Sequence, residues 1–190
     1  MRRKLPVFVM AVCFTTFTGV AYCGADARQS GVVSCAQATE TRPHTGNAYR
    51  RSVSNEDYAF SARIPDGLIG WRGVAQDAPF HGFAIFLDSR MEACIIFEVH
   101  IRVDDDTARS SSSTTSVQLG KAQGLQWINE GRISNSDVSN IHLLFSFRQP
   151  DQTDDGEVLL ITPTSRLKAT KAIYDAFVRS IKFGDKRGHQ

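Results

Sequence analysis

The chain has 190 residues, of which 22 are lysine or arginine, 20 are aspartate or glutamate and 42% are hydrophobic. This near balance of charge removes the electrostatic basis that a nucleic-acid-binding protein needs. Length and composition together favour one globular domain.

The N-terminal region 1–27 has the layout of a secretory signal peptide. A basic head at residues 2–4 precedes an apolar run at 5–20 and then small residues that end at Ala27. We expect cleavage after Ala27 or two residues earlier. A retained membrane anchor is the alternative, but the apolar run is shorter than the roughly 20 residues that a spanning helix needs.

A lipid anchor at Cys23 is a second interpretation of this region. Residues 20–24 resemble a bacterial lipoprotein site, in which Cys23 would be lipidated and become the first mature residue. The bulky Tyr22 departs from the small residue that this pattern prefers. We therefore expect cleavage without lipidation, and no spanning segment afterwards.

Cleavage changes the charge and leaves an even number of cysteines. It removes more basic than acidic side chains, namely Arg2, Arg3 and Lys4 against Asp26, so that the exported chain is electrically balanced. Cys35 and Cys94 remain, and an even count in an exported chain predicts a disulfide. The loop that it closes corresponds to about 4 kcal/mol of stabilisation. A reactive thiol is the alternative, but neither cysteine has a C-x-x-C partner or a clear basic neighbour.

The sequence after the cleavage site predicts an extended segment, one domain and a short tail. Residues 28–48 are polar and lack sustained periodicity, which indicates an extended N-terminal segment outside the core. The domain covers residues 49–183, and residues 184–190 form the tail. The bridge would tether the N-terminal segment to the sheet of this domain.

The first half of the domain predicts strands. A hairpin is expected from Tyr49 to Ile64, with a turn at 55–57. Its second strand alternates, with an inward set of Tyr58, Phe60, Ala62 and Ile64. Residues 68–78 predict an irregular loop that presents Trp71. Two long strands follow at 82–88 and 93–102, the second with an outward set of Cys94, Ile96, Glu98, His100 and Arg102.

The second half predicts further strands and one helix. Residues 104–116 indicate a polar surface loop, and 117–122 allow a short helix. Strands are expected at 124–133, 138–147 and 157–162, with Leu143, Phe145 and Phe147 inward. A helix is expected at 166–179, capped by Thr164 or Ser165, with an apolar stripe of Ala169, Ala172, Ile173, Ala176, Phe177 and Ser180. A short edge strand at 180–183 would end the domain.

Both ends of the domain resemble a known family. The opening YRRSVSNEDYAFSARIPDGL and the ending KAIYDAFVRSIKF are similar to the ends of PsbP/Mog1/DcrB-like domains. The resemblance implies an α/β/α sandwich with a central antiparallel sheet. It also implies a domain that binds other proteins rather than one that catalyses a reaction.

No motif for a metal or a cofactor stands out. The five histidines are scattered without zinc-ligand spacing. His100 beside the acidic run at 104–106 could hold a divalent ion, but such a run after a strand is more typical of a solvated loop. Residues 151–162 resemble a calcium loop without the final glutamate. We predict no metal and no cofactor.

Catalysis is the alternative to binding. The chain lacks a G-x-S-x-G motif, and we predict no catalytic residue. A small secreted hydrolase could still assemble a histidine, an acid and a serine in space, using His81 or His100. A glycosidase-type pair would use Glu92 and Glu98, of which Glu98 is expected on a solvent face.

The sequence therefore predicts a single α+β domain that works as an exported, periplasmic or secreted, non-catalytic binding module. Its partner would be another protein or a component of the cell envelope. Two loops, at residues 68–81 and 104–115, are the candidate contact regions. Their candidate contact residues are Trp71, Phe80, His81, Asp104, Asp105 and Asp106.

Overall fold

The computed structural model describes residues 32–39, 48–72, 81–101, 114–149 and 152–184. The strands are β1 (Ala48–Tyr49), β2 (Ser52–Asn55), β3 (Phe60–Arg63), β4 (Gly70–Arg72), β5 (His81–Phe86), β6 (Cys94–Ile101), β7 (Thr115–Leu119), β8 (Ala122–Ile133), β9 (Ser136–Arg148), β10 (Thr153–Pro163) and β11 (Lys182–Phe183). The helices are α1 (Cys35–Ala38) and α2 (Leu167–Ser180), and a 3₁₀ turn, Thr164–Arg166, precedes α2. The predicted α+β class, with a mostly antiparallel sheet and a C-terminal helix, is confirmed.

Eight strands form one antiparallel sheet in the order β1-β4-β5-β6-β10-β9-β8-β7. The predicted pairing of the two long strands is confirmed, since Phe83 lies opposite Phe97 and Ile85 opposite Ile95. β9 and β10, which contain the strands expected at 138–147 and 157–162, form a second hairpin. The predicted inward set of β9 is buried, as are its neighbours on β6 and β10. The alternation of inward and outward residues therefore predicted the central strands of the sheet correctly.

The remaining strands form a small sheet in the order β11-β3-β2. The predicted hairpin from Tyr49 to Ile64 is confirmed in its β2–β3 part, and the predicted inward set of its second strand is buried. The short strand after the helix is also confirmed, because Phe183 pairs with Phe60. This small sheet packs its apolar side chains into the same core as α2.

Two predicted connections are strands instead. Residues 70–72 form β4 inside the segment that was expected to be an irregular loop, and they pair with both β1 and β5. The short helix expected at 117–122 is wrong, because β7 and the start of β8 form a tight hairpin there. Gly120, with φ +58°, provides the left-handed turn that this hairpin needs.

Helix α2 covers one face of the large sheet, as predicted, but it is rotated relative to the expected stripe. Its buried residues are Thr170, Tyr174, Phe177 and Val178. Ala169, Ala172 and Ala176 are exposed. The predicted cap is also wrong, because Arg166 is the N-cap residue and no side chain caps the helix. None of the described residues forms a helix with the length and hydropathy that a membrane span requires.

The large sheet has apolar groups on both faces. On the main core face, α2 and the small sheet pack against strands β5, β6, β9 and β10. Phe97 lies at the centre of this core, with ring centroids 5.3 Å from Phe83 and 6.1 Å from Phe145. The opposite face, here called the second face, carries a smaller apolar cluster that includes Cys94, Ile96 and Ile161.

The N-terminal segment 32–39 lies on the second face. The predicted disulfide is confirmed, with the Cα atoms of Cys35 and Cys94 6.0 Å apart. The side-chain amide of Asn140, oriented with its oxygen toward Val33 N, accepts a hydrogen bond at 2.8 Å. A capping box at Ser34 stabilises α1. The expectation that this segment contributes no core is therefore wrong for residues 32–39, since Cys35 is 1% exposed.

The packing of segment 32–39 on the second face also corrects the outward set that was predicted for β6. Cys94, Ile96 and Glu98 point to the second face, as the alternation required, but all three are buried. Glu98 is therefore not on a solvent face. Strand β6 is buried on both sides over this stretch because core side chains cover one side and the disulfide-linked segment packs against the other.

Asp88 links the turn after β5 to the start of α2. Its carboxylate accepts hydrogen bonds from Arg166 Nη1 at 2.5 Å and from the backbone N–H groups of Arg90 and Glu92 at 3.0 and 3.1 Å. Burial by itself would raise the pKa of Asp88. The Arg166 guanidinium and the two backbone donors outweigh that effect, so this pKa lies below its usual value.

Replacing this carboxylate is expected to lower stability in a pH-dependent way. Asp88→Asn should reduce the free energy of unfolding by about 1–2 kcal/mol at neutral pH, after allowance for the partly exposed Arg166. Because the pKa of Asp88 is depressed in the folded state, its contribution is present above the unfolded-state pKa and is lost as the pH falls through the folded-state pKa. Urea unfolding of both proteins at neutral pH and near pH ~2 measures this difference.

The control for this prediction is Glu92→Gln, since the carboxylate of Glu92 is 3.9 Å from Arg166 and about half exposed. That change should cost less than about 0.5 kcal/mol. The electrostatic account of Asp88 fails if Asp88→Asn is as destabilising in acid as it is at neutral pH.

Candidate functional site

Trp71 and His81 are the two candidate contact residues that the structure describes. Trp71 lies in β4 opposite Ala84, and its side chain is partly buried. His81 begins β5 and lies opposite Val99. Phe80 and the acidic residues Asp104, Asp105 and Asp106 are outside the described residues. A role for this set in binding stays a prediction.

A different cluster of polar and aromatic side chains lies on the second face of β8, β9 and β10. Its centre is His142, whose Nδ1 is 2.8 Å from Oε1 of Glu157. The side chain of His142 is 8% exposed and that of Glu157 is 15% exposed. Both residues point to the same face because His142 lies opposite Leu159, two positions along β10 from Glu157.

Trp127 stacks on the imidazole of His142. The two ring centroids are 4.9 Å apart and the ring planes differ by 3°. The contact follows from the register, because Trp127 on β8 lies directly opposite His142 on β9. Glu157 holds the imidazole from one side while Trp127 covers its face. The partly buried indole of Trp127 therefore packs on a fixed imidazole ring and has a defined orientation.

The hydrogen bond to Glu157 determines the tautomer of His142. A carboxylate only accepts, so Nδ1 carries a hydrogen and the Nδ1–H group donates the hydrogen bond to Glu157 Oε1. The other nitrogen, Nε2, is buried and makes no hydrogen bond within the described part of the chain. No described serine, threonine or cysteine therefore bonds to Nε2, as the nucleophile of a triad would do. Among the described residues, the pair orients the imidazole ring on which Trp127 stacks.

Further carboxylates border the cluster. Glu98 on β6 lies directly opposite Glu157 on β10. The two line a shallow depression together with Ala38, Ile96 and Leu159. Asp155 accepts a hydrogen bond from the hydroxyl of Ser146 at 2.6 Å. Within the described ranges, no group of three histidine, cysteine, aspartate or glutamate side chains could hold a metal ion.

Apolar side chains continue from the cluster toward the edge of the sheet. Leu125 on β8 is 51% exposed and lies opposite Leu144 on β9, which is partly exposed. Both point to the second face beside Trp127. We call this region the open-face surface, consisting of Leu125, Trp127, Leu144, Asp155 and Glu157. The segment 32–39 packs over the other end of the same face, near Cys94 and Ile161.

Sequence reasoning missed the open-face surface. Trp127, His142 and Glu157 lie far apart in the chain, each on a different strand. No local motif joins such positions. The only available signal was that Trp127 and His142 interrupt otherwise regular strand patterns, and it becomes useful only when the hairpin register is known.

Comparisons with known proteins leave the chain without an assigned family. No protein-family profile matches it, and no curated protein matches it. A crystal structure from Bacteroides thetaiotaomicron is similar over 74% of this chain and 49% of its own, with 9% sequence identity and a TM-score of 0.47. This chain therefore spans about half the length of that protein.

Proposed function

We propose that this protein is an exported, periplasmic or secreted, non-catalytic binding module that contacts its partner through the open-face surface. The partner is another protein or a component of the cell envelope. Binding is also the use implied by the resemblance to PsbP/Mog1/DcrB-like domains, whose α/β/α sandwich would be the finer description of this fold. The disulfide supports an extracytoplasmic location, where such bonds persist.

The observation that carries the proposal is the indole of Trp127, which stacks on His142 and lies beside the exposed Leu125. Exposed apolar groups that adjoin one another mark interaction sites more often than isolated ones do. Tryptophan is enriched among residues that dominate binding energy, in part because a large rigid ring loses little entropy on binding. Stacking on His142 further restricts the rotation of the Trp127 ring in the unbound protein, so that less entropy is lost on binding.

The carboxylates of Asp155 and Glu157 give this apolar region a polar border. Each is held in place by a neighbour, Asp155 by Ser146 and Glu157 by His142. An apolar centre with a fixed polar rim is the usual organisation of a protein interface. Partners with apolar and basic groups on one surface fit this arrangement best.

The proposal predicts that the open-face surface, and not the rest of β8, is needed for partner recovery. The double variant Leu125→Ser/Leu144→Ser should reduce the amount of partner recovered after crosslinking in the native envelope by at least about tenfold. Both side chains have exposed area, so folding should change little. The matched control is Ile128→Ser, which changes a side chain that is 44% exposed on the opposite face of the same strand. Equal recovery from all three proteins would refute the proposal.

A further inference from the structure

Within the described part of the chain, only the first part of strand β8 is paired on its outer side. β7 covers it from Ala122 to Gln126, where Gln126 lies opposite Thr115. Residues 127–133 pair with β9 on one side, and among the described strands none pairs with them on the other. An edge of this kind is a template for the addition of another strand.

The register shows which backbone groups point outward. β8 is flanked by two tight hairpins, closed by the pairs Leu119–Ala122 and Ile133–Ser136. Closing pairs of such hairpins share hydrogen bonds, and the bonded pairs then alternate along each strand. Odd-numbered residues of β8 therefore bond to β9. The N–H and C=O groups of Ile128, Glu130 and Arg132 face the outer edge.

We propose that residues 129–133 form a self-association site, at which a second copy of this chain pairs the same segment in antiparallel orientation with the two Gly131 residues opposite each other. Glu130 of each copy then lies opposite Arg132 of the other. These two residues carry the outward backbone groups, so each opposed pair also exchanges two backbone hydrogen bonds. The two sheets become one continuous sheet.

Charge selects this register among its neighbours. Centring the pair on Glu130 places two like charges opposite each other, and centring it on Arg132 does the same. Centring it on Asn129 sets Glu130 against the apolar Ile128. Only the register centred on Gly131 pairs opposite charges twice. The charges that discourage nonspecific addition to this edge thus favour one specific partner.

Two further contacts support the arrangement. Arg132 Nε is 3.2 Å from Oδ1 of Asp137 on β9, and both side chains are exposed. Glu130 of the second copy would extend this pair into a charge network, which contributes more than an isolated surface pair. Val32 packs directly on Gly131. A Cβ atom added to Gly131 would lie only 2.8 Å from Cγ2 of Val32. In the proposed dimer, the partly exposed Val32 therefore lies beside the two-fold axis and faces Val32 of the second copy.

Sedimentation equilibrium of the disulfide-intact exported chain tests this proposal, from about 1 to about 500 µM, a range suited to a small interface. The wild type should show a monomer–dimer equilibrium. Glu130→Arg and Arg132→Glu, each tested alone, should weaken dimerisation by about tenfold or more because like charges then face each other twice. An equimolar mixture of the two variants should dimerise again, because one variant carries two positive charges on this segment and the other carries two negative charges.

Thermal melts of each variant establish that it is folded. The proposal is overturned if the wild type is a monomer throughout the range, if the single variants dimerise like the wild type, or if the mixture stays monomeric. It is independent of the open-face surface, which uses side chains of the second face rather than the edge of β8. Glu130→Arg should therefore retain the partner recovered by the wild type.

Discussion

Replacing both Cys35 and Cys94 by alanine is expected to lower the free energy of unfolding by about 4 kcal/mol. The bridge closes a loop with a sequence separation of 59 residues, and its loss restores that loop's freedom to the unfolded chain. It also leaves the segment 32–39 held to the sheet by the Asn140 contact and its apolar packing. Urea unfolding of the oxidised wild type and the double variant measures the difference.

Two controls separate the covalent effect from packing. Ser34→Ala disturbs only the cap of α1 and should cost about 1 kcal/mol or less. The wild type in the presence of a reducing agent should approach the stability of the double variant. A loss below about 1 kcal/mol in the double variant would show that the bridge is not the main constraint on this segment.

Gly156→Ala is expected to destabilise the fold by about 2–3 kcal/mol, a large cost for one methyl group. Gly156 lies on β10 opposite Phe145, on the main core face. A Cβ atom at this position would overlap the Phe145 ring and come within 2.8 Å of the Glu98 carbonyl oxygen. Phe145 also packs against Phe97 and Phe183, so its ring has little room to move. Chemical denaturation gives the size of the loss.

The control for this substitution is Gly184→Ala, whose added Cβ would meet nothing closer than the Ala59 carbonyl oxygen at 3.6 Å. It should be neutral within about 0.5 kcal/mol. Combining Gly156→Ala with Phe145→Leu should cost less than the sum of the two single changes, because the smaller side chain makes room for the methyl group. Strict additivity would contradict the proposed overlap.

The strands that alternate clearly were predictable from sequence. In and beside β3, the buried set Tyr58, Phe60, Ala62 and Ile64 follows the period of two. The β5–β6 pairing was equally clear because both strands have long apolar sets. The short strands β4 and β7 were missed because each has too few residues to show a period. Their structure depends on pairing with a neighbour rather than on local pattern.

The helix shows how composition can mislead. Ala169, Ala172 and Ala176 counted as apolar in the predicted stripe, yet they face solvent. Thr170 was outside the predicted stripe, yet it is buried, and its hydroxyl oxygen lies 3.1 Å from Thr162 Oγ1 and 3.0 Å from the Arg166 carbonyl oxygen. A hydroxyl that bonds within the fold avoids most of the cost of burial.

The sequence predicted the bridge that attaches the N-terminal segment to the sheet, but the burial of this segment and the open-face surface were beyond sequence reasoning for the same reason. Residues 32–39 are too few to show a period, and the bridge, the Asn140 contact and their apolar packing place them on the second face. Trp127, His142 and Glu157 come from three strands and meet only through the register of β8, β9 and β10. Contacts of long sequence separation leave no local signal.

The affinity of the exported protein for the recovered partner tests the proposed function most directly. Calorimetric titration should be carried out with the wild type, with Leu125→Ser/Leu144→Ser and with Ile128→Ser. The account predicts that the double variant binds at least about tenfold more weakly, while the control stays within about twofold of the wild type. An unchanged affinity in the double variant, or an equal loss in the control, would contradict a binding role for the open-face surface.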